Sequence, residues 1–151
     1  MGRLAPLISG RAVAFDTAPL IYYLEEHLTY LPLVEDLFNA IDAGSANGMT
    51  SVLTLLEVLV KPLRDGSSQI AEEYRQLLTG SSNLKLYSID EVVCQRAASL
   101  RARHSWLRTP DALQLATAIQ HRADIIVTND ERWKALNEIT VIVLRDHVTV
   151  T

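Results

Sequence analysis

The chain has 151 residues, 48% of them hydrophobic, which is enough apolar material for one core without covalent staples. A single cysteine, Cys94, excludes an intramolecular disulfide, and no Cys/His spacing suggests a zinc cage, so a reducing cytoplasm is the expected compartment. The balance of 14 Lys and Arg against 18 Asp and Glu, a formal charge of −4, argues against a general nucleic-acid binder unless bound cations reverse the local field.

No apolar run between Arg3 and Arg11 is long enough for a signal peptide, and Pro6 and Gly10 punctuate that segment. Glu57 and Lys61 interrupt the most apolar window, so no membrane span is expected and the protein is expected to be soluble. Cys94, beside Val92 and Val93, is expected in the core. With no repeat, low-complexity tract or polar linker, residues 1–151 are expected to form one domain.

Arg11 to Phe15 reads as a buried strand, followed by Asp16, Thr17 and a helix from Pro19 to about His27. Leu33, Val34, Leu37, Phe38 and Ile41 form the apolar stripe of a second helix that ends at Gly44. A weak strand at Gly48 to Thr50 leads into a helix from Ser51 to Val60, halted by Pro62. Further helices are expected from Ser68 to Leu78 and from Asp90, its N-cap, to His104, with a strand at Leu84 to Tyr87 between them.

Thr109, Pro110 and Asp111 begin a helix that runs to about His121, because a hydroxyl, a proline and an acid all favour a first turn. Asp124 to Thr128 is a strand, Asp130 to Leu136 a short helix, and Thr140 to Leu144 a last strand. Strands that are apolar throughout imply cover on both faces, and hence an α/β fold with a parallel sheet between helices.

In such folds ligands gather beyond the carboxyl ends of the strands. Asp16 follows its strand directly, Asp130 follows Asp124 to Thr128 with only Asn129 between, Asp111 lies in a first helical turn, and Glu57 stands among Leu55, Leu56, Val58 and Leu59, where an unpaired carboxylate is costly. Four such acids converging on one pocket would suit a hard cation such as Mg2+. Local alternatives remain for each. Asp111 could simply stabilise its helix, Glu57 could complete a capping box with Thr54 or pair with Lys61, and Asp16 and Asp130 could be caps only.

His27, His104, His121 and His147 show no metal-ligand spacing, and neither a phosphate-binding glycine loop nor a serine-hydrolase elbow is present. Arg101, Arg103 and Arg108 form the one basic cluster pointing towards the acids, either a solvated face or a contact for a phosphate backbone.

Together AFDTAPLIYYLE, SVLTLLEVLVKP, RTPDALQLATAI and ADIIVTNDERW resemble, in order, the four acidic motifs of PIN domains, over a core of about 13–144. The resemblance implies a central parallel sheet in the order 3-2-1-4-5, helices on both faces and a homodimer. It implies that Asp16, Glu57, Asp111 and Asp130 ligate one or two Mg2+ or Mn2+ ions, supported by Thr17 and Thr128. Size and the lack of appended domains are similar to the VapC toxins of VapBC toxin–antitoxin pairs, ribonucleases held inactive by a VapB antitoxin. The segment before Val13 is longer than usual in these toxins and is read as an extra arm.

Rival readings are a structure-specific DNA nuclease with the same pocket, a non-catalytic PIN scaffold, and a phosphatase using Asp16 as nucleophile. The last usually needs a second acid where this chain has Ala18. The stripe of Leu33, Val34, Leu37 and Phe38, a pattern that is more often core, or the surface around Tyr22 and Tyr23, is the hypothesised place for a partner.

Overall fold

Five strands form the centre of the molecule: β1 (Ala12–Phe15), β2 (Asn47–Ser51), β3 (Leu84–Tyr87), β4 (Ile125–Thr128) and β5 (Thr140–Val143). The structure, a computed structural model, describes residues 3–149. The order across the sheet is 3-2-1-4-5 and every neighbouring pair is parallel, as expected. Alternation along the strands explains why they read as continuously apolar. Val13, Phe15, Ile125 and Val127 enter one buried cluster, whereas Ala14 and Ile126 enter another on the opposite face.

The helices are α1 (Ala5–Ile8), α2 (Thr17–Leu24), α3 (Leu31–Asp42), α4 (Val52–Arg64), α5 (Ser68–Gly80), α6 (Glu91–Arg103) and α7 (Thr109–Gln120). Short 3-10 turns follow β4 (Glu131–Ala135) and β5 (Leu144–His147), the first in place of the expected short helix. Residues of α1, α2 and α3 cover one face of the sheet, and those of α6, α7 and the first 3-10 turn cover the other. Among the described residues no helix is long and apolar enough to cross a membrane.

Two expectations fail here for local reasons, and the burial of one apolar stripe decides between its two readings. Helix α4 does not stop before Pro62 but runs through it to Arg64. So late in the helix the ring removes one hydrogen bond, and the buried proline's carbonyl still accepts from the Ser67 amide at 2.8 Å. Cys94 is exposed, because α6 buries Val93, Ala97 and Leu100, and the next position points about 100° away. Leu33, Val34, Leu37 and Phe38 are buried, so the stripe on α3 is core rather than a partner surface.

The N-terminal arm has a definite place. Leu4 and Ile8 are fully buried, and the Asp36 carboxylate on α3 accepts from the Leu4 and Ala5 amides at 2.7 and 2.8 Å. Asp36 thus supplies from a distant helix the cap that α1 cannot make itself. Asp36→Ala is expected to destabilise the fold by about 1–2 kcal/mol, as loss of a cap does, while leaving the opposite end of the sheet unchanged. Chemical denaturation checks it, and an unchanged midpoint would show the arm to be held by Leu4 and Ile8 alone.

Candidate active site at the carboxyl ends of the strands

In the 3-2-1-4-5 order the chain leaves β1 towards β2 and returns on the other side at β4, so the two central strand ends open a crevice. Asp16 is the residue after β1. Its Oδ1 accepts from the Thr17 amide at 2.9 Å, and its Oδ2 accepts from the Thr128 hydroxyl at the end of β4, at 2.8 Å. The carboxylate is therefore held across the two strands as well as capping α2. Burial pushes its pKa up to about 6, against the opposing effect of the Thr128 and Thr17 bonds, with the Asp111 and Glu57 charges adding to the rise.

Asp16, Thr17, Glu57, Arg108, Asp111 and Gln114 line one open cleft of about 450 Å³. Asp16 also lines an adjoining hollow with Tyr22, Asn129, Asp130, Arg132 and Arg145. Three of the four sequence-selected acids thus share a cleft, and Asp130 lies beside it. Of the three arginines singled out, only Arg108 lines the cleft. Arg101 instead donates to the Leu107 carbonyl (3.0 Å) and the Thr109 hydroxyl (2.8 Å), closing the link from α6 to α7, and Arg103 contacts Glu138 at 3.3 Å.

Glu57 is neither a capping-box partner nor paired with Lys61. Ser51 caps α4, and Lys61 bonds Glu25 at 3.1 Å. The Glu57 carboxylate accepts from the Thr17 hydroxyl at 2.7 Å, and this bond belongs to a buried polar net that local sequence did not announce. Gln114 Nε2 donates to Thr17 Oγ1 (3.0 Å) and Thr54 Oγ1 (2.7 Å), and its Oε1 accepts from Ser51 (2.8 Å). Thr50 donates to the Phe15 carbonyl at 2.9 Å and lies 2.7 Å from Thr54.

Counting protons fixes the direction of these bonds. Thr50 and Thr17 each spend their single hydroxyl proton, on Phe15 and Glu57, so the Thr54 proton goes to Thr50 and the Gln114 amide supplies both remaining donors. The net leaves Thr17 able only to donate to Glu57. That aims the acid.

Asp111 lies in the first turn of α7, where Arg108 is the N-cap position and makes no side-chain cap. Its Oδ2 is buried without a hydrogen-bond partner; the Arg108 guanidinium is 3.6 Å away, too far for one. Burial raises its pKa, Arg108 opposes the rise, and the Asp130 charge adds to it. Asp130 behaves oppositely. Hydrogen bonds from Arg132 hold its pKa below the usual carboxylate value, and its side chain also caps the 3-10 turn through the Arg132 amide.

Asp16, Glu57 and Asp111 bring carboxylate oxygens to the cleft, and one oxygen of Asp111 is buried and unpartnered, which suits a hard cation. Among the described residues no three acidic, His or Cys side chains stand close enough to hold one ion as they are. Mg2+ asks less than that, since it keeps several waters and binds through one or two carboxylates. Asp16 and Asp111 fit it; Glu57 and Asp130 are engaged by Thr17 and Arg132.

The PIN domain family model matches residues 13–139. No curated protein matches the sequence. Among solved structures, VapBC2 from Rickettsia felis, bound to a DNA fragment from the promoter, aligns with a TM-score of 0.65 and 18% identity, covering 87% of this chain and 97% of that one. A toxin–antitoxin complex from Klebsiella pneumoniae aligns at 0.64 and 23% identity, covering 86% and 95%. VapC20 of Mycobacterium tuberculosis, a Sarcin-Ricin loop cleaving toxin, aligns at 0.61 and 14% identity, covering 76% and 86%.

Proposed function

The chain belongs to the PIN domain family, and from that premise we propose that it is a metal-dependent endoribonuclease, the VapC-like toxin of a toxin–antitoxin pair. The observation that carries the reading is the cleft in which Asp16, Glu57 and Asp111 meet, with Asp111 Oδ2 buried and unpartnered. The likeness to VapC20, a Sarcin-Ricin loop cleaving toxin, favours RNA over DNA as substrate.

Asp16 and Asp111 are the residues to hold Mg2+ or Mn2+, with Glu57, aimed by Thr17 through one of its oxygens, and Asp130, once it leaves Arg132, completing the set. When bound, the ion supplies a water acidic enough to attack at neutral pH and offsets charge on the phosphate. The chain's own contribution is positioning. Thr128 and the Thr17 amide fix both oxygens of Asp16, and Thr17 aims Glu57. Arg108, on the rim beside Asp111, offers a guanidinium to a phosphodiester oxygen and lessens the repulsion that clustered acids exert on RNA.

A VapB-like antitoxin and a second copy of the chain are the partners in this reading. Val52, Leu56, Val60 and Leu63 are exposed at a spacing that puts them on one face of α4, and this uncovered face favours association. The test is incubation of purified protein with a sarcin–ricin hairpin, tRNA and matched DNA in Mg2+, Mn2+ or EDTA, beside Asp111→Asn. Metal-dependent RNA cleavage that falls at least about 100-fold in the variant is expected. Cleavage of DNA alone would make it a DNA nuclease, and cleavage surviving EDTA or the variant would sink the site assignment.

A further inference from the structure

Both oxygens of Asp130 are already engaged by Arg132. An ionised carboxylate has about four acceptor positions. Here Oδ1 accepts from the Arg132 amide (3.0 Å) and Nε (3.0 Å), while Oδ2 accepts from Nη2 (2.6 Å) and Nε (3.2 Å). All four contacts come from one residue two positions along the chain, with the single Nε hydrogen shared between the two oxygens, and Nε and Nη2 form the planar fork at which arginine binds carboxylates most strongly. The same guanidinium lies 5.6 Å from the centroid of the Trp106 ring, and both Arg132 and Asp130 line the hollow next to the cleft.

We infer that Arg132 is a resident counter-ion of Asp130 that a divalent cation must displace before Asp130 can act as a ligand. The inference rests on the metal-dependent reading above and adds a competitor that the chain itself carries. Arg108, 3.6 Å from Asp111 Oδ2, faces the neighbouring acid but makes no hydrogen bond to it, so the competition is strongest at Asp130. Because the Arg132 side chain is about half exposed, its release costs little packing, and the freed group stays on the rim of the site. The arrangement weakens metal binding while keeping the acids from repelling one another when no ion is present.

Two readouts test this in the full chain. Binding of Mn2+, followed by the electron-spin resonance of the free ion, is expected to be roughly five- to tenfold tighter in Arg132→Met than in the parent, since an exposed but bidentate ion pair no longer competes. Mg2+ is expected to change tryptophan emission in the parent as the guanidinium moves from Trp106, and not in Arg132→Met or Trp106→Phe, because the second tryptophan, Trp133, is fully buried. Equal Mn2+ affinity in parent and Arg132→Met would overturn the inference and leave the metal-dependent reading standing. Failure of both proteins to bind Mn2+ would overturn both.

Discussion

Asp16→Asn is expected to abolish cleavage, by about 1,000-fold or more, and at the same time to make the metal-free protein more stable at neutral pH. The two effects have opposite signs because the same carboxylate is costly to the fold and necessary to the site. Burial raises its pKa from 3.8 to about 6, so the folded chain holds the proton more tightly than the unfolded one does. The stabilisation from that proton is fully present below the unfolded value and is lost as pH rises through the folded one. A shift of about two units corresponds to ~3 kcal/mol, an upper estimate for a half-buried group.

Melting in EDTA should therefore show stability falling between about pH 4 and pH 6.5, and the fall should flatten in Asp16→Asn. The amide oxygen of asparagine can still accept from Thr17 or Thr128, so the fold need not change. Added Mg2+ should recover stability in the parent and not in the variant, by mass action on the folded state. A variant less stable than the parent at pH 8 would mean that the hydrogen bonds to Asp16 outweigh its desolvation, and the cost assigned here to the buried charge would be wrong.

The strands, most helices and the strand-end positions of Asp16 and Asp130 were legible because each has a local signature: apolar runs, caps, and a carboxylate just past a strand. The 3-2-1-4-5 order came from resemblance, since nothing in one strand's composition says which strand it pairs with. What stayed hidden depends on neighbours far along the chain. Lys61 could have met Glu57 one turn away on its own helix, but α2 brings Glu25 closer. Asp36 gives no local sign that it caps α1 some 30 residues earlier.

The buried threonines did leave a trace. Thr54 falls on the same α4 stripe as Val58 and Pro62, a hydroxyl where the pattern asks for an apolar side chain. Gln114 is likewise a polar residue between Leu113 and Leu115, on the buried side of α7. A polar group on the core side of a helix must find partners, and the acids at the strand ends were the nearest place to look for them. Arg132 gives no such sign, because an arginine two residues from an acid at a helix start reads as ordinary surface charge.

Gln114→Leu is expected to cost roughly 3 kcal/mol of stability, more than most single changes, although leucine fills a similar volume. The amide holds three hydroxyls at once, and its loss strands the Ser51 proton at a position that is fully buried. One unsatisfied buried donor costs about 1–3 kcal/mol, and the Thr17 and Thr54 oxygens lose their donors as well. For a chain of this size that corresponds to a melting shift of about 6–12 °C. Ser51 also caps α4 through the Leu53 amide, so a hydroxyl that turns to seek a new acceptor loosens the helix carrying Glu57. Thr17, no longer fixed by an incoming donor, can turn its own proton away from Glu57. Activity at a temperature where the variant is folded should therefore fall about tenfold, from misplacement of an acid the substitution does not touch. A melting shift under about 2 °C would mean that water or a local rearrangement satisfies these hydroxyls, and that the net is not what aims Glu57 into the cleft.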